Sequence, residues 1–288
     1  YAFDPRAYLR HFFDDEGAPY TFLVDEAHNL VDRARDMFSA ELSRRSFVTA
    51  RKGLRGKHSG LYRSLGHIAA WMRKSVKDAP ADQERWSETE PPAGLEPLLR
   101  KFAGQAERWL VHNEESPLRP SLLEIYFTVL GFLRIYEIYD RNYATCYDSE
   151  PEGARVKLFC IDPSRQLGAS MNRCRTAVFF SATLRPMDYY RTMFGLDPTG
   201  VQLTLPSPFP SGNFGVFISN RISTYYHQRE DSLPQVIDAV RSLVSGHNGN
   251  YLLFFPSYPY MLQAHRAFTS VCPDLTTIIQ VPEMSEAD

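Results

Sequence analysis

Hydrophobic and polar positions along the chain alternate between two periods. A short continuous run, Thr21-Phe22-Leu23-Val24, ends directly on Asp25-Glu26-Ala27-His28. Such a run predicts a buried parallel strand with carboxylates at its C-terminal edge, the edge where α/β sheets bind ligands. From residue 29 to about 143 the pattern becomes helical. Leu98, Leu99, Phe102, Trp109 and Leu110 recur at helical spacing, and the run 122–139 is apolar almost all round, as expected of a helix in the middle of a bundle. The proline- and acid-rich stretch 78–97 reads as an exposed loop. Strand character returns at 155–161, 176–180 and 214–218. It is followed by an amphipathic helix with Leu233, Val236, Ile237, Val240, Leu243 and Val244 on one face and Gly246 at its end. A strand at 251–255, a helix at 258–271 and a strand at 276–281 complete an alternation that predicts a parallel sheet.

Composition narrows the class without naming a chemistry. The chain has 288 residues, 43% hydrophobic and 23% charged, which describes a globular protein large enough for two cores. Its most apolar stretch is interrupted by Glu124, Arg134 and Glu137, which excludes a membrane span there. Cys146, Cys160, Cys174 and Cys272 are too far apart for a short-spaced zinc site and read as buried free thiols in a reducing compartment. The lack of an initiating Met and the polar stub at the end give the expectation of a piece of a larger protein.

Three segments carry candidate chemistry. Asp25 and Glu26 are adjacent carboxylates after a hydrophobic strand, the form of a Walker B box. The first is suited to Mg²⁺ through water, and the second to orienting or deprotonating the water that attacks a γ-phosphoryl group. Ser181-Ala182-Thr183 is a hydroxyl-rich turn after the strand Val178-Phe179-Phe180. Ser257 and Tyr258 open a helix after the strand Leu252 to Phe255, where backbone amides suit a phosphate.

Taken together and in this order, VDEAHNL at 24–30, FFSATL at 179–184 and LLFFPSY at 252–258 resemble motifs II, III and IV of the superfamily 2 DNA helicases of the XPD/DinG group. CIDPS at 160–164, LPSPFP at 205–210 with Asn213 behind it, and STYYHQRED at 223–231 support the likeness. The insertion of well over a hundred residues between motifs II and III resembles the helical Arch domain of that group. DEAH-box RNA helicases have much closer motifs.

The resemblance implies an α/β fold made of parts of two RecA-like P-loop motor domains with an Arch-type insertion. Residues 1–33 would end the first motor domain, 34–145 would be the insertion, 146–186 the return to the first motor domain, and 187–288 the start of the second. It implies ATP and Mg²⁺ as cofactors, a catalytic set of Asp25, Glu26 and His28, and Ser181, Ala182 and Thr183 as coupling residues. His28 would couple by bonding the motif III turn. Any iron–sulfur cluster would lie upstream of Asp25 in the longer protein, not on this chain. No Gly-Lys-Ser/Thr phosphate loop occurs in the sequence, and motifs V and VI would follow Asp288. The implied parent is a 5′→3′ DNA helicase of the repair or replication type, and the isolated chain is expected to be inactive.

Charge adds evidence independent of family. Residues 33–77 hold twelve Lys/Arg against two acids, an excess of ten in a chain whose net charge is −2. This block includes Arg51, Lys52 and Arg55, with Phe47, Tyr62 and Trp71 interleaved as candidate base-stacking rings. Arg229, beside Tyr225 and His227, is a further candidate nucleic-acid contact. The expected partner is single-stranded DNA, or DNA with a 5′ single-stranded tail. The expected location is cytoplasmic, with a bacterial nucleoid. The alternative is a catalytically silent DNA- or protein-binding module.

Overall fold

In a computed structural model the described residues are 3–5, 18–77, 84–150, 153–223, 225–281 and 284. The acids Asp78 and Asp82 of the expected loop and the polar stub after Val281, except Met284, lie outside them. The chain divides into two units, Tyr1–Leu203 and Thr204–Asp288. The fold is mixed α/β, with both parallel and antiparallel pairing.

The first unit begins with β1 (Ala18–Val24), which pairs in parallel with β6 (Cys174–Phe179), setting Leu23 opposite Val178 and Val24 opposite Phe179. Everything between these strands is one long excursion, as the spacing of the two motifs predicts. The strands are parallel but not fully buried. With two strands in the ladder among the described residues, one face packs inward through Val24 and Phe179, whose ring stacks on Phe194 at 4.8 Å. The other face is open, and Leu23 is 70% exposed. Behind β6, α6 (Ser164–Met171) and α7 (Met187–Met193) approach closely at Gly195. Its φ is +67°, and a Cβ there would sit 2.1 Å from the Ser164 carbonyl oxygen, so only glycine fits.

The excursion is mostly helical: α1 (Leu30–Met37), α2 (Arg44–Gly53), α3 (Ser59–Lys77), α4 (Leu95–His112) and α5 (Arg119–Glu137). It also contains a four-stranded antiparallel sheet that the helical reading missed. The sheet runs β2 (Ala40–Ser43), β5 (Gly153–Cys160), β4 (Tyr143–Glu150), β3 (Arg85–Glu88). The cause is visible in the side chains. Ala154, Val156, Leu158 and Cys160 of β5 are buried while Arg155 and Lys157 point away, the period-2 alternation of a sheet with one wet face. Residue 146, the expected end of the helical insertion, falls within β4 of this sheet. β4 and β5 pair with each other and with β2 and β3, and β6 is the strand that rejoins β1. The loop reading of 78–97 also changes, since β3 and the start of α4 occupy part of it.

In α5 the aromatic run is split by its helical faces: Phe132 is buried, whereas Phe127 is 60% exposed. One core runs continuously from Ala27 through the helices and the sheet to Phe194. Cys160 and Cys174 are buried and Cys146 and Cys272 half-buried, all as free thiols, and burial pushes the Cys160 thiol up to about 11. The first compact unit extends to Leu203, and α7 delivers Phe194 into its core.

The second unit contains α8 (Arg229–Gly246) and α9 (Tyr258–Val271), which pack through Ile237, Ala264 and Phe268. The expected strands at 214–218, 251–255 and 276–281 are not hydrogen-bonded into a ladder among the described residues. A strand persists through its neighbour's backbone bonds and a covered face. These runs have no ladder among the described residues and little cover: Phe217 is 92% exposed, although Phe255 packs against α8 and α9. Among the described residues no helix is long and apolar enough to cross a membrane.

The two sheets should respond differently to truncation. Leu158→Ala, at a fully buried position, should cost about 2–5 kcal/mol of unfolding free energy by urea denaturation. Leu23→Ala, on the open face of β1, should cost under about 0.5 kcal/mol. Equal losses would contradict this account of where the core lies.

Candidate functional site

The end of β1 and the end of β6 meet through backbone first. Phe180 N–H donates to the Val24 carbonyl at 3.1 Å, and Ala27 N–H donates to the Phe180 carbonyl at 3.2 Å. These bonds carry the parallel ladder past the strands and fix the two motif turns side by side. Between them the chain turns sharply at Glu26, which adopts φ 47°, ψ 41°. This left-handed conformation costs a non-glycine residue about 1–2 kcal/mol. The turn is held on its approach by Asp25, whose Oδ1 accepts the Glu26 N–H at 2.7 Å.

The side chains then close a small network around Ser181. His28 Nδ1 lies 2.7 Å from Ser181 Oγ, the Ser181 hydroxyl donates to Glu26 Oε2 at 3.4 Å, and Thr183 N–H donates to Ser181 Oγ at 3.2 Å. A serine hydroxyl has one donor and two acceptor positions. With its proton directed to the Glu26 carboxylate, both lone pairs are left for N–H groups, and in that arrangement His28 carries its proton on Nδ1. Thr183 Oγ1 adds a weak contact at 3.4 Å. His28 Nδ1 is also 3.2 Å from Glu26 Oε2. Glu26 is 64% exposed in its side chain, and among the described residues nothing bonds its Oε1. Asp25 Oδ2 is likewise uncommitted. Ala182 follows Ser181 as an exposed residue of the same turn.

The sequence-predicted residues Asp25, Glu26, His28, Ser181 and Thr183 are therefore brought together. Asp25 and Glu26 are a donor set that fits Mg²⁺, which is held by one or two carboxylates together with phosphate oxygens and water. Among the described residues no three His, Cys, Asp or Glu side chains converge on a metal position.

The basic block resolves into tethered and free cations. Arg51 Nε donates to the Tyr62 carbonyl at 3.2 Å and its guanidinium lies 4.1 Å over the Tyr62 ring, so Arg51 ties α2 to α3. Arg44 Nε donates to the Ala69 carbonyl at 3.1 Å. Lys52 and Arg55 are exposed, and no ion pair engages them among the described residues. Phe47 is corrected as a stacking ring: it is 1% exposed and belongs to the core, because it lies on the inner face of α2. Trp71 is half-buried and donates its indole N–H to the Ala93 carbonyl at 3.0 Å.

In the second unit Arg229 opens α8 with its guanidinium 5.4 Å from the Tyr226 ring and 5.3 Å from the Tyr260 ring. Ser257 is the N-cap of α9, with its hydroxyl unused for capping, and Tyr258 is exposed beside it. Sequence reading named Arg229 and missed its tyrosine partner Tyr260, since a residue 31 positions later shows no local signal.

The Ser181 network has a spectroscopic signature. ¹⁵N-resolved NMR should find His28 protonated on Nδ1, and Ser181→Ala should shift that resonance while costing about 0.5–1.5 kcal/mol of stability. A neutral His28 protonated only on Nε2 would contradict the assigned hydrogen-bond directions.

No protein-family model matches the chain. It is 23% identical to the ATP-dependent DNA helicase chl1 of Aspergillus niger over 84% of this chain and 32% of that protein. It superposes on an apo XPD structure with a TM-score of 0.55 and 18% identity, over 92% of this chain and 52% of that one. The chain therefore spans about a third of the curated relative and about half of the XPD chain. Sequence similarity to a DNA helicase and a fold shared with XPD make this chain a relative of the XPD-like helicases.

Proposed function

We propose that the chain is the central part of an ATP-driven 5′→3′ DNA helicase, with motif II at Asp25-Glu26-Ala27-His28 and motif III at Ser181-Ala182-Thr183. The observation that carries this reading is the network joining Glu26, His28 and Ser181 across the β1–β6 pair. A carboxylate pair at a strand end is common, but one wired to a hydroxyl turn on the neighbouring strand provides a route from nucleotide chemistry to movement.

In this reading ATP and Mg²⁺ are the cofactors, and the bound ion supplies neutralisation of charge on the phosphoryl oxygens. Asp25 would hold the ion through its hydration shell. Glu26 presents Oε1 to the attacking water and accepts its proton there, while Oε2 stays anchored by Ser181. His28 and Thr183 hold the Ser181 hydroxyl, so a shift of Glu26 during turnover moves the turn after β6. The residues between α1 and β6, helices and antiparallel sheet together, form the Arch-type insertion, and 204–288 begin the second motor domain. Single-stranded DNA, or DNA with a 5′ single-stranded tail, is the partner. Lys52 and Arg55 on the first unit contact its phosphates, as do Arg229, Ser257 and Tyr258 on the second. Arg51 supports this surface from behind. The working compartment is a reducing, DNA-containing one.

The missing phosphate loop favours a second reading for the isolated chain, a binding module without turnover. The two readings separate in the longer protein. There Glu26→Gln should abolish DNA-stimulated ATP hydrolysis, by at least about 100-fold, with ATP affinity changed less than about threefold. Unchanged hydrolysis would leave the binding-module reading standing and remove the catalytic one.

A further inference from the structure

An open cleft of about 570 Å³ lies on the helical part of the first unit, where the loop between α2 and α3 faces the C-terminal half of α4. It is lined by Lys57, His58, Gln105, Arg108, Trp109 and Asn113. Its polar groups are oriented by bonds made outside it. His58 Nδ1 accepts the Leu61 N–H at 3.1 Å, capping α3, so the ring proton sits on Nε2 as a donor. Gln105 Oε1 accepts the Ser64 hydroxyl at 2.7 Å, which leaves its NH₂ group as the free end. Asn113 Nδ2 donates to the Trp109 carbonyl at 2.8 Å, leaving Oδ1 as an acceptor.

Lys57 and Arg108 are exposed and have no ion-pair partner among the described residues. The carboxylates nearest in sequence, Glu107, Glu114 and Glu115, are not lining residues. The cleft therefore offers two permanent cations, two neutral donors, one acceptor and an indole. A simple anion would use the cations and leave the indole idle, whereas an apolar ligand would leave the cations unpaired. A phosphate joined to a flat base uses both. The volume is that of a small-ligand site. Lys57 is also close in sequence to the exposed Lys52, at the end of α2, and Arg55, in the loop that follows it.

We propose that this cleft is a nucleotide subsite for single-stranded DNA. A backbone phosphate lies between Lys57 and Arg108, and its base lies against Trp109. A duplex hides the faces of its bases, so the subsite selects single strands. The inference rests on the reading that this chain binds single-stranded DNA, and its test separates the two.

A fluorescently labelled twelve-residue oligothymidylate titrated into the 288-residue chain at two salt concentrations is the probe. Arg108→Glu, at an exposed position and with circular dichroism confirming the fold, should weaken binding at least about fivefold. It should also lower the salt slope by about 0.7. Binding should quench the intrinsic fluorescence. Trp109→Phe, which keeps an aromatic ring against the core, should remove that quench while Trp71 and Trp86 remain. A duplex of the same length should bind without quenching. If Lys52→Glu with Arg55→Glu weakens binding while Arg108→Glu and Trp109→Phe change neither affinity nor quench, the subsite is overturned and DNA binding stands. If the oligonucleotide does not bind the parent chain at low salt, both fall.

Discussion

The hydroxyl of Ser181 is the point through which the rest of the site is organised. It is held 2.7 Å from His28 Nδ1 and 3.4 Å from Glu26 Oε2, although these residues are separated by about half the chain. Two conditions make this contact available. The parallel register of β1 and β6 sets Val24 opposite Phe179, and the left-handed turn at Glu26 aims its carboxylate back toward the neighbouring strand. Without the register the two turns end at different heights. Without the turn the carboxylate leaves the strand in the wrong direction. Local strain at Glu26 is thus offset by bonds on both sides of the turn, an arrangement found where function needs a conformation that propensity disfavours.

The features legible in the sequence are those encoded locally. The apolar runs before Asp25 and before Ser181 identified both strands, and the adjacent carboxylates and the hydroxyl turn after them identified residues that the fold brings together. Helical spacing found α4, α5, α8 and α9. The features missed depend on partners distant in sequence. β2 and β3 are only four residues each and acquire strand character from pairing with β5 and β4. Conversely, the apolar runs at 214–218 and 251–255 have strand composition without a ladder, so composition alone overstated them. Phe47 fell on the inner face of its helix, together with the tethered Arg44 and Arg51, whereas Lys52 fell on the outer one. A charge count could not make that division, but the helical period of α2 could have.

Basic charge on this molecule is divided by what each cation already bonds. Arg44 and Arg51 spend their donors on backbone carbonyls and brace α2 against α3. Lys52, Arg55 and Lys57 have no such commitments among the described residues, so their charge is available to a phosphate backbone. A net charge of −2 therefore hides a local surface of opposite sign, and the nucleic-acid binding proposed for this chain would depend on that surface rather than on the total.

The central claim is that Ser181 transmits the state of Glu26 to movement. Ser181→Ala in the longer protein tests it through the ratio of DNA unwound to ATP hydrolysed. Hydrolysis should stay within about threefold of the parent protein and unwinding should fall at least about tenfold, because His28 Nδ1, 3.2 Å from Glu26 Oε2, still holds that carboxylate while the link to β6 is lost. Hydrolysis and unwinding falling by the same factor would contradict it, since Ser181 would then serve the chemistry and not its coupling.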